Sequence, residues 1–105
     1  MTTFEERENA FESKYAHDEE IQFKAVARRN KLLGLWAAGL MGKSADEAED
    51  YAKSVVLADF EEAGHEDVVR KVAADLDGKA DADAVRDKMA ELLPEAKSQI
   101  MSELE

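Results

Sequence analysis

Three glycines, Gly42, Gly64 and Gly78, cut this chain into stretches that otherwise read as helix from end to end. Ala, Glu, Lys, Leu and Asp dominate, there is one proline, and no stretch alternates apolar with polar residues as a strand would. Each glycine falls just past an apolar-periodic run, where a left-handed residue ends a helix. The fold class implied is all-α, a compact four-helix bundle with helices at about 18–41, 44–63, 65–77 and 81–104. Short connections between them make consecutive helices antiparallel neighbours.

The apolar positions support that parse. Phe23, Val26, Leu33 and Leu40 form one stripe, widened by Leu32, Leu35 and Trp36, and residues 32–41 should be the most buried part. Trp36, flanked by apolar residues, reads as a core anchor rather than a ligand platform. The second helix presents Ala48, Tyr51, Ala52, Val55, Val56, Phe60 and Ala63. The third buries Val68, Val69, Val72 and Leu76, and the fourth carries Val85, Met89, Leu92, Leu93, Ala96, Ile100 and Leu104. Asp81 or Asp83 is its N-cap, and Pro94 should kink it, because the apolar spacing continues beyond the proline.

The corner after the first helix contains Gly42-Lys43-Ser44, the end of a phosphate-binding loop. The full motif needs a preceding strand and an earlier glycine, but Ala37 stands where that glycine should be. A helix corner explains the same residues: Gly42 closes one helix, and Ser44 with Glu47 makes a capping box for the next. Phosphate binding by another geometry stays open for Lys43 and Ser44.

With 105 residues the chain is one domain, and without cysteine it has no disulfide, thiolate metal site or cysteine nucleophile. No apolar run approaches the ~20 residues that span a bilayer, and the acidic start is unlike an export signal. A cytoplasmic protein without direct membrane insertion is expected. His17 and His65 each lack a second histidine at helical spacing, and none of the common hydrolase or dinucleotide motifs occurs. Neither a catalytic residue nor a metal site is expected, so the chain should not be an enzyme.

Charge is distributed in blocks. Residues 1–20 hold seven acids against Arg7 and Lys14, while residues 21–43 hold five bases and no acid. The remainder is acidic, and the net charge of −11 argues against nucleic acid as a partner. In the basic block, Lys24, Arg28 and Lys31 share one helical face, readable as a solvated surface paired to nearby acids or as an anion site.

Residues 1–19 stand apart. Their apolar positions are too sparse to build core, yet Phe4, Phe11 and Tyr15 lie seven and four residues apart, on one face of a helix. That pattern fits a mobile segment that becomes helical on binding, or a frayed tail resting on its own bundle.

The run "FEERENAFESKYAHDEEIQFKAVARRNKLLGLWAAGLMGKS", and "ARRNKLLGLWAA" in particular, closely resembles the zeta subunit of the alphaproteobacterial F-type ATP synthase. The resemblance continues through "YAKSVVLADFEEAGHEDVVRKV" to the acidic last third. It implies a four-helix bundle with a mobile N-terminal inhibitory segment, here residues 1–19. It also implies a regulatory protein that inhibits ATP hydrolysis as the segment enters the interface of the catalytic alpha and beta subunits with the gamma stalk. Phe4, Glu5, Arg7, Phe11, Tyr15 and His17 would be its partner-binding residues. The protein would be a monomer when free and peripheral to the inner membrane through the ATP synthase. No cofactor is implied, but a second reading makes the bundle a sensor of ADP or ATP, held by Lys24, Arg28, Lys31, Lys43 and Ser44. A third makes the chain an acidic adaptor protein unrelated to the motor.

Overall fold

The structure, a computed structural model, describes the backbone of residues 3–60 and 64–104 and the side chains of residues 18–60 and 64–104. Four helices follow in order, α1 Thr3–Leu40, α2 Ala45–Ala58, α3 Glu66–Leu76 and α4 Ala82–Glu103. Among the described residues there is no strand, and the all-α, four-helix expectation holds.

Two boundaries differ from the sequence reading. Helix α1 begins at Thr3 rather than near residue 18, since no glycine or proline before Gly34 interrupts it. Helix α2 ends at Ala58, five residues early, where Asp59 and Phe60 turn away and the Phe60 N–H closes on the Leu57 carbonyl at 3.1 Å. Ala63, the expected end, lies outside the described residues.

At 1.5 Å per residue the 38 residues of α1 span about 57 Å, which accounts for the 62 Å long axis of a molecule only 26 × 21 Å across. Helices α2 and α4 pack along its C-terminal half, and α3 closes the bundle. Arg28 meets Glu103 at the end of α4, and Phe23 meets Phe60 just beyond the end of α2. From Phe23, α1 therefore continues past both neighbours for about 30 Å.

The interior is aliphatic: Leu33, Val55, Val68, Val72, Leu76 and Val85 are fully buried. Helices α1 and α2 approach closely because Gly34 has no side chain. A Cβ there would lie 2.6 Å from the Ala52 Cα. The stripe expected on α1 is rotated: Ala25, Arg29, Leu33 and Ala37, four residues apart, face inward, whereas Phe23 and Leu40 are exposed. Phe60 is exposed as well. Trp36 is half-buried at the edge of the core, with the Lys88 ammonium 5.8 Å from its ring centroid.

The helix ends follow local chemistry. At φ 73°, Gly42 lets the Lys43 N–H reach the Ala38 carbonyl at 3.0 Å while its own N–H meets Gly39 at 3.2 Å, a Schellman closure. Ser44 and Glu47 form the full capping box. The Ser44 backbone N–H, then its hydroxyl contact, hold the Glu47 carboxyl below the usual carboxylate range. Asp81, not Asp83, caps α4, accepting from the Ala84 N–H at 2.8 Å. At the end of α3, Asp77 (φ 48°) already turns left-handed before Gly78 (φ 86°). Helix α4 runs through Pro94, which is exposed; Ala90, whose carbonyl loses its intrahelical donor, is exposed too and open to water.

Candidate functional site

The root of the projecting helix is fastened by a buried polar cluster. Arg29, 5% exposed, and Asn30, 1% exposed, sit on the inward face of α1. The Asn30 Oδ1 accepts from Arg29 Nη2 at 3.0 Å, and its Nδ2 donates to Asp59 Oδ2 at 3.0 Å. His65, the residue before α3, places Nδ1 3.1 Å from Arg29 Nη2 and 3.2 Å from Asp59 Oδ1. Because guanidinium only donates, Nδ1 accepts from Arg29 in one tautomer and donates to Asp59 in the other. Burial pulls the Arg29 guanidinium below its ordinary value, and the Asp59 charge acts against that. One cluster thus ties α1 to the end of α2 and the start of α3.

Sequence reading counted Arg29 only among the five bases of residues 21–43 and missed this cluster. The signal was present in "ARRN": Arg28 and Arg29 are a hundred degrees apart on a helix, so they cannot share a face, and Arg29 lies one turn from Leu33 on the core side.

The sequence-derived basic residues divide into two places. Lys24, Arg28 and Lys31 do share one face and line one surface cavity with Phe23, Val56 and Ile100. Arg28 is engaged there, donating to Gln99 Oε1 at 2.8 Å and to Glu103 Oε1 at 2.7 Å, and Lys24 pairs with Glu20 at 2.8 Å. Lys43 and Ser44 lie twelve residues or more further along, in the turn between α1 and α2. The Ser44 hydroxyl is occupied as a cap, and the Lys43 ammonium stands 5.9 Å from the Tyr51 ring centroid. Tyr51 in turn donates to Asp75 Oδ2 at 2.9 Å; burial first, then that bond, pushes its hydroxyl up.

Of the residues read as partner-binding, Phe4, Glu5, Arg7, Phe11, Tyr15 and His17 lie on the backbone of α1, and their side chains are outside the described residues. Between α2 and α3, both carboxylate oxygens of Asp67 are buried without a hydrogen-bond partner beside a cavity of about 510 Å³. The position in the first turn of α3 favours the charge there. Among the described residues no group of three or more His, Asp or Glu could hold a metal ion, and no helix is long and apolar enough to cross a membrane.

What the described geometry defines is a class of protein: a small helical bundle that extends one acidic helix well beyond itself. The model of the ATPase inhibitor subunit zeta family matches residues 1–99, and the chain belongs to that family. A solution NMR structure of a protein 63% identical to this chain superposes with a TM-score of 0.74, over 79% of this chain and 98% of the other. A comparison with curated proteins finds no match.

Proposed function

We propose that this chain inhibits ATP hydrolysis by the F-type ATP synthase, with residues 1–19 inserting between the catalytic alpha and beta subunits and the gamma stalk. The observation that carries this reading is α1, a single helix that reaches about 30 Å past the ends of α2 and α4. Its outer part holds Phe4, Phe11 and Tyr15 at helical spacing among acids. A helix with a few apolar anchors on a charged background is a recurrent ligand for an apolar groove. The bundle then serves as a handle, with the Arg29, Asn30, Asp59 and His65 cluster holding the root of the helix at a defined angle. Binding orders the segment around one nucleotide state of the motor, and hydrolysis stops because the site does not reopen.

The test is ATP hydrolysis by the isolated catalytic sector, titrated with the intact chain and with a chain lacking residues 1–19. Saturable inhibition by the intact chain alone is expected. Equal inhibition by both would move the activity to the bundle and end this reading. Adenine-nucleotide sensing would require ADP or ATP to compete with Glu103 and Gln99 for Arg28. Saturable shifts of the Lys24, Arg28 and Lys31 amide signals on adding ADP would favour it.

A further inference from the structure

Helices α1 and α2 run antiparallel, with Gly34 against Ala52 at one end of their contact and Phe23 against Phe60 at the other. Between those points they leave a groove made of two adjoining cavities, of about 370 Å³ and 450 Å³, both lined by Lys31 and Val56. Val56 and Leu57 supply its apolar wall, and Leu57 is 64% exposed. One end is aromatic: Phe23 and Phe60, 61% and 62% exposed, pair there with ring centroids 6.1 Å apart.

The other end is basic. Lys31 on α1 and Lys53 on α2 line the same cavity, and neither carries an ion pair among the described residues. Of the two carboxylates that border the groove, Glu103 is bound to Arg28, and Glu49 lies one turn before Lys53, away from the aromatic end. On a chain of net charge −11, two ammonium groups without a carboxylate partner face one apolar groove.

Such a groove calls for a negative head and an apolar body in one ligand. Inorganic phosphate would meet the lysines and leave the apolar wall uncovered. From Lys31 to Phe23, α1 rises about 12 Å, room for an alkyl chain of medium length lying along Val56 and Leu57. We propose that this groove binds a single-chain anionic amphiphile, a fatty-acid carboxylate, with its head between Lys31 and Lys53 and its tail directed to Phe23 and Phe60. Mostly apolar walls with a few placed polar groups are the usual make-up of small-molecule pockets. The two ammonium groups fix the head by charge-assisted hydrogen bonds, and burial of the methylenes supplies most of the affinity. The site is built from bundle residues alone and is independent of the function proposed above.

The experiment titrates the full, isotope-labelled chain with sodium decanoate held below its micelle concentration. Saturable shifts are expected at the amide signals of Lys31, Lys53, Val56 and Leu57 and at the ring signals of Phe23 and Phe60. Octanoate, two methylenes shorter, should bind about tenfold more weakly. Lys31→Gln combined with Lys53→Gln should weaken decanoate about tenfold; both lysines are exposed, so the double variant should keep the parent's amide spectrum. Should it fail to fold, decanol tests the head on the parent chain: with the same tail and no charge, it should also bind about tenfold more weakly. No saturable shift in the groove overturns the site. Equal affinities for octanoate and decanoate, or for decanoate and decanol, overturn it too, since the first leaves the tail unbound and the second leaves the lysines unused. Shifts spread over all four helices would mark detergent-like binding, against the inference. Binding to phosphatidylglycerol vesicles without a response to monomeric decanoate would make this face a membrane contact and likewise overturn it. None of these readouts involves ATP hydrolysis, so the two readings fail separately.

Discussion

The two halves of α1 share one backbone and little else. The C-terminal half is clamped between α2 and α4, close enough at Gly34 that a methyl group would strike the Ala52 backbone. The N-terminal half passes the ends of those helices and carries acids with an aromatic row. A helix can thus be held by tertiary burial along one half and run on beyond the ends of its neighbours along the other. Tertiary burial belongs to the first half, and the function proposed above assigns partner binding to the second.

Substitutions can sharpen that contrast. The largest effect is expected from Leu33→Ala in the clamped half, where a fully buried side chain leaves a cavity; urea unfolding should show a loss of about 3 kcal/mol. Next, Asp59→Ala removes the carboxylate that faces Arg29 and accepts from Asn30. Leaving those buried donors short of an acceptor should cost about 2 kcal/mol in the same assay. An effect near zero would show that the cluster is not what fastens the root of α1.

Tyr51 gives a smaller, pH-dependent effect away from α1. Its hydroxyl is raised in the folded state, so its contribution is complete below the ordinary tyrosine value of about 10 and is lost as pH rises toward the folded value. Above pH ~10 the parent chain should lose stability more steeply than Tyr51→Phe. Parallel losses in melts at successive alkaline pH values would contradict the assignment. The smallest stability effect is expected from Phe11→Ala in the projecting half. Its melting temperature should match that of the parent while its inhibition of ATP hydrolysis weakens. A drop in melting temperature comparable to that of Leu33→Ala would erase the distinction between the halves.

Much of the architecture was legible residue by residue. Gly42 marks a helix end because it adopts the left-handed turn that backbone bonds close, and Ser44 with Glu47 and Asp81 mark others because their side chains satisfy unpaired N–H groups a few residues away. The aliphatic periodicity of Val68, Val69, Val72 and Leu76 named the buried face of α3 correctly, since one helix face must be covered whatever covers it. The candidate site was less legible. Lys24, Arg28 and Lys31 could be placed on one face, yet nothing local said that Glu103, seventy-five residues from Arg28, would lie against it.

Helix content, the helix ends marked by Gly42, Ser44 and Asp81, and the block pattern of charge were determined by the sequence alone, because each depends on backbone conformation and near neighbours. Which polar residues join the core, and which large apolar ones stay outside it, was decided only by tertiary structure. Arg29 and Asn30 are inside because Asp59 and His65 meet them there, while Phe23, Leu40 and Phe60 are outside because no helix covers them. Burial depends on where the other helices lie, and a periodic stripe specifies only that some face is covered, not how wide that face is or which polar groups will find partners within it.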